Sequence, residues 1–360
     1  MRSDISEARG ALLSAIAALP LRGKVKLMEV CGTHTMAIAK SGLRAVLPEN
    51  VQLLSGPGCP VCVTPPEVID AVLTLAMRPE VIIASYGDML RVPGSKRGDS
   101  LARRRALGAR VEIVYSPVDA VALAKANPDK EIVFLGVGFE TTAPGTAAAV
   151  LTARDEGVSN FSVWSMLKTV EPALRALIAD EDFDISGFIC PGHVATIIGE
   201  RGFAFLPEEY NMPAVIAGFE PEDILLAVCR LLRQIADGAP ALENEYTRAV
   251  AADGNILAQR IMTECFVPRR DIWRGLGMIE SSGLALSPAL SAFDAERKFA
   301  VEPIAESAPT ACRCGDVICG RIRAVDCPLW GTACTPEDPV GPCMVSSEGA
   351  CAAAYKYREI

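Results

Sequence analysis

From residue 25 to about residue 237, the sequence alternates short apolar, β-branched runs with segments of helical periodicity. The runs are VKLMEV, VQLL, VIIAS, VEIVY, EIVFLGV, FSVWSM, ISGFI and AVIAGF. A strand that is apolar along most of its length is typical of a parallel sheet covered by helices on both faces. The sequence therefore predicts an α/β fold in which strands and crossover helices alternate.

Eight strands over this length favour two parallel-sheet α/β domains over a single sheet, and the Asn127-Pro128-Asp129 turn is the predicted boundary. After about residue 245 a helical segment gives way to glycine-, proline- and cysteine-rich sequence, which predicts a cysteine-rich iron–sulfur region. The predicted division is an N-terminal helix (1–24), a first α/β domain (25–127), a second α/β domain (128–244) and a helical, cysteine-rich 4Fe–4S domain (245–360).

Charge and hydropathy exclude two classes of partner. The 360 residues carry a net charge of −9 with scattered positive charges, so nucleic acid is not an expected partner. No apolar stretch approaches the ~20 residues of a membrane span. The first twenty residues contain Asp4 and Glu7 beside their arginines, which favours an amphipathic helix over a signal peptide. We therefore expect a cytoplasmic protein.

Polar and reactive residues follow five of the predicted strands at the point where each strand ends. These segments are CGTHT after VKLMEV, SGPGCPVC after VQLL, YGDM after VIIAS, GFETT after EIVFLGV, and CPGH after ISGFI. The carboxyl ends of parallel strands border the binding crevice of an α/β sheet. The two histidines of the chain, His34 and His193, and its only Cys-x-x-Cys motif all fall on this edge, which predicts a functional site there.

The Cys-x-x-Cys motif, Cys59-Pro60-Val61-Cys62, precedes a helix predicted to start near Pro65. Unpaired N–H groups at a helix N-terminus stabilise a thiolate, so the pattern favours a redox-active dithiol. The alternative, half of a zinc site, would need a second such motif nearby.

Cys31 and His34 are three residues apart across a predicted strand–helix turn. His34 could stabilise the Cys31 thiolate, or both side chains could face one metal ion such as iron. The alternative is a buried cysteine beside a helix-capping histidine. The hydroxyls of Thr33 and Thr35 flank the pair and favour the functional interpretation.

The C-terminal cysteines predict a metal or redox centre. Seven of the chain's thirteen cysteines lie between residues 312 and 351, and structural disulfides are rare in the cytoplasm. No Cys-x-x-Cys occurs in this stretch, which argues against a zinc ribbon. Its long spacings would suit a 4Fe–4S cluster bound by Cys312, Cys327, Cys334 and Cys351, although spacing alone does not distinguish Cys312 from Cys314.

Three further residues carry two interpretations each. Gly136-Val137-Gly138 lacks the third glycine of a dinucleotide loop, so Glu140 is better interpreted as an acid/base or ligand-orienting carboxylate. His193 is either a histidine bonded at the edge of the core or a polar group that faces the crevice. Asp88 either anchors a turn or takes part in the site.

In order along the chain, these motifs resemble the HypD family of NiFe-hydrogenase maturation factors. The resemblance covers nearly the whole sequence. It is carried by CGTHT (31–35), GPGCPVC (56–62), YGDMLRVPGS (86–95), GFETTAP (138–144), PGHV (191–194), WRGLG (273–277) and the cysteine-rich tail (312–351).

The resemblance implies a scaffold with redox chemistry rather than a conventional turnover enzyme. Such proteins hold iron together with a small chaperone, HypC, while it acquires two cyanides and one carbon monoxide. The cyanide is delivered by HypE, and the finished Fe(CN)2CO group goes to the hydrogenase large subunit.

Carried over to this sequence, the resemblance makes Cys31 the thiolate that shares the iron with a HypC cysteine, with His34 beside it. Cys59 and Cys62 become the redox-active dithiol. Cys312, Cys327, Cys334 and Cys351 become the 4Fe–4S ligands, with the cluster passing electrons to the dithiol. Two alternatives are an iron–sulfur thiol–disulfide oxidoreductase acting on a protein disulfide and a zinc-stapled binding protein.

Overall fold

A computed structural model describes residues 2–301 and 311–358. Part of the predicted cysteine-rich domain, residues 302–310, lies outside the described residues. Within the described ranges, the strands are Val25–Glu29 (β1), Val51–Ser55 (β2), Val81–Ser85 (β3), Arg110–Ile113 (β4), Glu131–Gly138 (β5), Phe161–Leu167 (β6), Gly187–Pro191 (β7), Ala214–Ala217 (β8), Leu242–Asn244 (β9), Phe266–Trp273 (β10) and Gly277–Leu286 (β11).

The same residues form sixteen α-helices, none of which is long and apolar enough to cross a bilayer. They are Arg2–Ala17 (α1), Gly32–Ser41 (α2), Leu43–Val46 (α3), Pro60–Val63 (α4), Pro66–Leu75 (α5), Leu101–Ala106 (α6), Pro117–Ala126 (α7), Ala143–Asp155 (α8), Val170–Ile178 (α9), Gly192–Ile198 (α10), Phe205–Tyr210 (α11), Pro221–Asp237 (α12), Ile256–Cys265 (α13), Ala295–Phe299 (α14), Cys314–Ile318 (α15) and Ala350–Tyr357 (α16).

Two parallel sheets form the centre of the structure. The first sheet has the strand order β2-β1-β7-β8-β9 and the second has the order β4-β3-β5-β6. Central strands such as β3 and β5 are almost completely buried, as their continuous apolar sequence requires. The eight predicted strands form β1 to β8, and the predicted α/β class is confirmed.

The predicted boundary near residue 127 does not separate the two sheets. The segment 25–127 supplies β1 and β2 to the first sheet but β3 and β4 to the second. The first sheet is completed by β7, β8 and β9, which follow β5 and β6 along the chain. Apolar runs reveal where strands lie in the sequence, whereas strand pairing depends on contacts between distant segments.

The helical segment predicted after residue 245, over 245–265, forms α13 only from Ile256 onward. The antiparallel hairpin of β10 and β11 then follows, where the glycine- and proline-rich sequence predicts loops. Buried and exposed residues do not alternate along β10, so its sequence lacks the period-two apolar pattern that predicts a strand. The WRGLG motif forms the turn. Gly275 has a φ of +85°, and an added Cβ would lie 2.5 Å from the Cα of Gly315, so only glycine fits.

Lys168 attaches this hairpin to the end of β6. Its ammonium donates to Asp271 Oδ2 at 3.0 Å and to the carbonyl of Ile272 at 2.9 Å. It also lies 5.1 Å from the ring centroid of Trp273. The side chain of Lys168 is only 2% exposed and that of Asp271 only 12%, so each charge depends on the other for compensation.

We expect Lys168→Ala to lower the free energy of unfolding by about 3 kcal/mol, because it leaves the Asp271 carboxylate buried beside fewer donors. The matched control is Arg270→Ala in the same hairpin. Its ion pair with Glu280 is 63% and 77% exposed, so we expect a loss below about 0.5 kcal/mol. Urea denaturation measures both changes, and equal losses would contradict the structural role of Lys168.

Candidate functional site

The carboxyl ends of both sheets border one cleft of about 440 Å³. In the first sheet, the chain passes from β1 to β2 on one side and from β7 to β8 on the other, and in the second, the connections after β3 and β5 diverge in the same way. Connections that leave two adjacent strands in opposite directions open a crevice at the carboxyl ends of those strands. The residues that line the cleft include Cys31, Thr33, Tyr86, Asp88, Phe139, Thr141, His193, Ser346, Ser347 and Glu348.

Cys31 lies between β1 and α2, at the N-cap position of the helix. Burial raises the pKa of its thiol to about 12, an effect that the backbone N–H groups at the start of α2 lower in part. The backbone of Gly58 packs directly against that of Cys31, where an added Cβ would lie 2.2 Å from the Cys31 nitrogen. This close backbone contact with Gly58 therefore helps to fix the position of Cys31.

Glu29 is a site residue that the sequence reasoning missed. Its carboxylate is buried and accepts hydrogen bonds from the backbone N–H of Cys31, at 3.1 Å, and from the hydroxyl of Thr35. Burial raises the pKa of this carboxyl to about 7. The available signal was a single acidic residue near the end of the otherwise largely apolar run VKLMEV.

The imidazole of His34 lies behind the cleft wall, fully buried. Its Nε2 donates to the carbonyl of Gly218 at 2.8 Å, and its ring stacks on Phe219 at 4.6 Å between centroids. Burial lowers the pKa of His34 to about 4, so the ring is neutral at physiological pH. The partners of the imidazole are thus Gly218 and Phe219 rather than the Cys31 sulfur.

Asp88 and His193 line the cleft, whereas Glu140 does not. Asp88 Oδ2 accepts hydrogen bonds from the backbone N–H of Ser347 at 3.0 Å and from its hydroxyl at 2.7 Å. His193 stacks on Phe219 at 3.8 Å, and burial lowers its pKa.

Glu140 Oε1 accepts the backbone N–H of Val170 at 2.9 Å, at the start of α9. Its Oε2 atom is buried and finds no hydrogen-bond partner within residues 2–301 and 311–358. Burial raises the pKa of this carboxyl to about 7. The structure thus places Glu140 as a buried contact of α9, outside the cleft.

Cys59 and Cys62 are joined by a disulfide in the structure. The helix predicted to start near Pro65 is α5, which begins at Pro66, and the additional short helix α4 begins at Pro60 and contains Cys62. Cys59 caps α4, since its sulfur accepts the backbone N–H of Cys62 at 3.1 Å. Both cysteines are buried, at 6% and 1% exposure.

Six of the seven C-terminal cysteines line one small cavity: Cys312, Cys314, Cys327, Cys334, Cys343 and Cys351. The other residues that line it are Leu329, Trp330, Gly341 and Met344, so its only strong metal donors are sulfur atoms. Cys319 points elsewhere, with its sulfur 3.5 Å from the carbonyl of Gly275.

The chemistry of this donor set is compatible with the 4Fe–4S cluster expected from the sequence. Across the described chain, no group of three or more His, Cys, Asp or Glu side chains is arranged to hold one ion. A 4Fe–4S cluster instead takes one thiolate on each of its irons, so its ligands surround a volume. Gly341 leaves room for this set, because an added Cβ would lie 2.5 Å from the sulfur of Cys312.

Comparison with known proteins identifies the family. The model described as "HypD: Hydrogenase formation hypA family" matches residues 7–358. The chain belongs to the HypD family. It is 46% identical to the hydrogenase maturation factor HypD of Escherichia coli over 352 residues, covering 98% of this chain and 93% of that protein.

Further relatives agree with the assignment. The hydrogenase maturation factor HypD2 of Bradyrhizobium diazoefficiens is 45% identical over 93% of this HypD-family chain and 90% of its own length. A putative hydrogenase expression/formation protein of Methanocaldococcus jannaschii is 44% identical over 94% of the chain and 93% of its own length. The resemblance deduced from the motifs is confirmed, and with it a place in hydrogenase maturation.

In this HypD-family chain we expect Glu140→Gln to change how stability depends on pH. The Glu140 carboxyl has a pKa of about 7 in the folded protein, against 4.5 for an ordinary glutamate. The folded state therefore binds the proton more tightly, and this contribution to stability is lost as pH rises through 7. From pH 5 to pH 8, the unfolding free energy of the wild type should fall relative to Glu140→Gln by about 2 kcal/mol.

Thermal or urea unfolding at several pH values measures this difference, in which the other titrating groups cancel. The control is Glu181→Gln, at an exposed position. Parallel pH curves for the wild type and Glu140→Gln would show that the buried carboxyl does not hold its proton in the folded state.

Proposed function

We propose that this chain is a scaffold and redox factor for assembling the Fe(CN)2CO group of NiFe hydrogenases. It holds the iron together with a HypC-like chaperone and receives cyanide from a HypE-like donor, before the finished group passes to the hydrogenase large subunit. It acts in the cytoplasm, without nucleic acid or membrane as partner. The observation that supports this best is Cys31, which provides the only thiol among the described residues that line the cleft.

A site that offers a single thiol suits a metal ion that is later transferred to another protein. Two thiolates, one from each protein, and three diatomic ligands leave the iron with an open position, so the group can be handed on. A metal displaces the proton of a coordinating thiol. Cys31 lies at the N-cap of α2, where the helix N-terminus favours the resulting negative charge, and Glu29 holds the Cys31 main chain.

The other residues of the cleft offer hydrogen-bond donors for the nitrogen end of a cyanide ligand. Thr33 and Ser347 carry hydroxyls, and His193 carries an imidazole whose pKa burial lowers. Asp88 fixes Ser347 through two hydrogen bonds. In this proposal Asp88 and His193 orient the ligands, while His34 and Glu140 support the walls from behind.

The Cys59–Cys62 pair supplies a two-electron thiol/disulfide couple beside the cleft. The cysteines that would hold a 4Fe–4S cluster are Cys312, Cys327, Cys334 and Cys351, and the cluster supplies single electrons when bound.

The second candidate is an iron–sulfur oxidoreductase that acts on a protein disulfide. The disulfide between Cys59 and Cys62 agrees with it. However, exchange with a protein disulfide requires a sulfur of another protein to reach this pair, and both of its sulfurs are buried. A redox role within the scaffold does not require a second protein to reach the pair, so we favour the scaffold.

Infrared spectroscopy tests the scaffold. The chain is purified without oxygen together with its small partner chaperone, and we expect cyanide and carbonyl stretching bands from the iron-bound ligands. Cys31→Ala should abolish these bands and retain the cysteine-rich centre. Cys229→Ala is the control, because this buried cysteine lies in α12, away from the residues that line the cleft.

If the wild type showed no such bands while its visible spectrum contained an intact iron–sulfur centre, the oxidoreductase would be the better account. Bands that survive in Cys31→Ala would place the iron on another residue.

Serine substitutions test the cluster ligands. We expect Cys312→Ser, Cys327→Ser, Cys334→Ser and Cys351→Ser each to lower bound iron, acid-labile sulfide and absorbance near 400 nm by more than half. Cys319→Ser is the control, since its sulfur lies outside the cavity. A loss in Cys314→Ser with retention in Cys312→Ser would reassign the first ligand.

A further inference from the structure

The segment Cys343–Glu348, here called the bridging segment, touches three chemical centres within six residues. Cys343 lines the cysteine cavity. The hydroxyl of Ser346 lies 3.4 Å from the sulfur of Cys59. The carboxylate of Glu348 accepts the hydroxyl of Thr33 at 2.9 Å, two residues from Cys31.

The direction of the hydrogen bond between Ser346 and Cys59 follows from the disulfide. A disulfide sulfur carries no proton, so the Ser346 hydroxyl must be the donor. The same oxygen accepts the backbone N–H of Glu348 at 3.2 Å. Ser346 is only 2% exposed, so water does not readily replace either partner.

The path continues from Glu348 to Cys31. Glu348 packs closely against the start of α2, since a Cβ added at Gly32 would lie 2.3 Å from the Cβ of Glu348. Thr33, which donates its hydroxyl to Glu348, is separated from Cys31 only by Gly32. Hydrogen bonds and two short stretches of chain therefore connect the Cys59 sulfur with the Cys31 sulfur.

We propose that Ser346 and Glu348 are positioning residues that couple the redox state of the Cys59–Cys62 pair to the reactivity of Cys31. When a dithiol reductant acts, the S–S bond breaks, each sulfur gains one electron and one proton, and the reductant is oxidised to its own disulfide. The reduced Cys59 thiol can then donate to the Ser346 oxygen, which a disulfide sulfur cannot do. Reduction thus changes the hydrogen bonds of Ser346 and, through Glu348, the surroundings of Thr33 and Cys31.

The biological meaning of this inference rests on the proposed function. Its test does not, because it requires no iron carrying cyanide or carbon monoxide. The full chain, purified without oxygen, is prepared with the pair oxidised or reduced by dithiothreitol and then freed of reductant. Iodoacetamide alkylation of Cys31 is followed by peptide mass spectrometry, which separates Cys31 from the other cysteines. We expect the Cys31 alkylation rate of the wild type to differ at least threefold between the two redox states.

We expect Ser346→Ala to reduce this difference below 1.5-fold. It should also shift the exchange equilibrium with dithiothreitol about fivefold towards the disulfide, because a thiol can both donate to and accept from the hydroxyl whereas a disulfide sulfur can only accept. Ser346→Thr keeps the hydroxyl and should retain most of the coupling. The matched control is Ser162→Ala, which removes a buried hydroxyl of β6 that bonds the Ile132 carbonyl and should leave the exchange equilibrium unchanged.

Equal Cys31 alkylation rates in the two redox states of the wild type would overturn the coupling, even if Ser346→Ala failed to fold. An unchanged exchange equilibrium in folded Ser346→Ala would overturn the role of Ser346. Neither result bears on the infrared bands, so failure of the scaffold and failure of the coupling can be told apart.

Discussion

The parallel pairing of β1 with β7 is the contact on which the rest of the site depends. It joins Leu27 to Gly187 and Glu29 to Ile189, strands that are far apart in the chain. Between them the chain leaves the first sheet and completes the second sheet. Because both strands are parallel and buried, their carboxyl ends meet at one edge, and CGTHT lies beside PGHV there. Without this pairing the first sheet would divide into β1–β2 and β7–β9.

Burial sets the electrostatics around the cleft. Glu29 and Glu140 have pKa values raised to about 7, and that of His34 is lowered to about 4, in each case mainly because a charge is costly to bury. The cost at Glu29 is reduced by hydrogen bonds from the Thr35 hydroxyl and the Cys31 backbone. Burial therefore lowers the charge that Glu29 and His34 carry near Cys31, compared with exposed side chains of the same type.

The cysteine-rich region is part of the site. Its bridging segment forms one wall of the cleft, and Asp88 accepts two hydrogen bonds from Ser347. The hairpin of β10 and β11 is held by Lys168, and its turn packs against Gly315, next to Cys314. The cysteine cavity, the disulfide and the cleft are thus connected through short, buried contacts, which is the arrangement that a redox-linked scaffold requires.

Local sequence determined the elements and their chemistry. The continuous apolar runs specify β1 to β8, and the motifs at their ends supply Cys31, Asp88 and His193, because strand formation and the position of a strand end are largely local properties. The spacing of the C-terminal cysteines indicated a common centre, although it did not show that Cys314 and Cys343 line the same cavity.

Tertiary structure decided which strands pair, which side chains face the cleft and which residues from distant segments join them. His34 and Glu140 follow strands just as Cys31 does, yet their side chains lie outside the cleft. Ser346 and Glu348 carry no distinctive local signal, and only the fold brings them to Cys59 and Thr33. Sequence patterns report the preferences of neighbouring residues, whereas these contacts depend on the packing of segments that lie hundreds of residues apart.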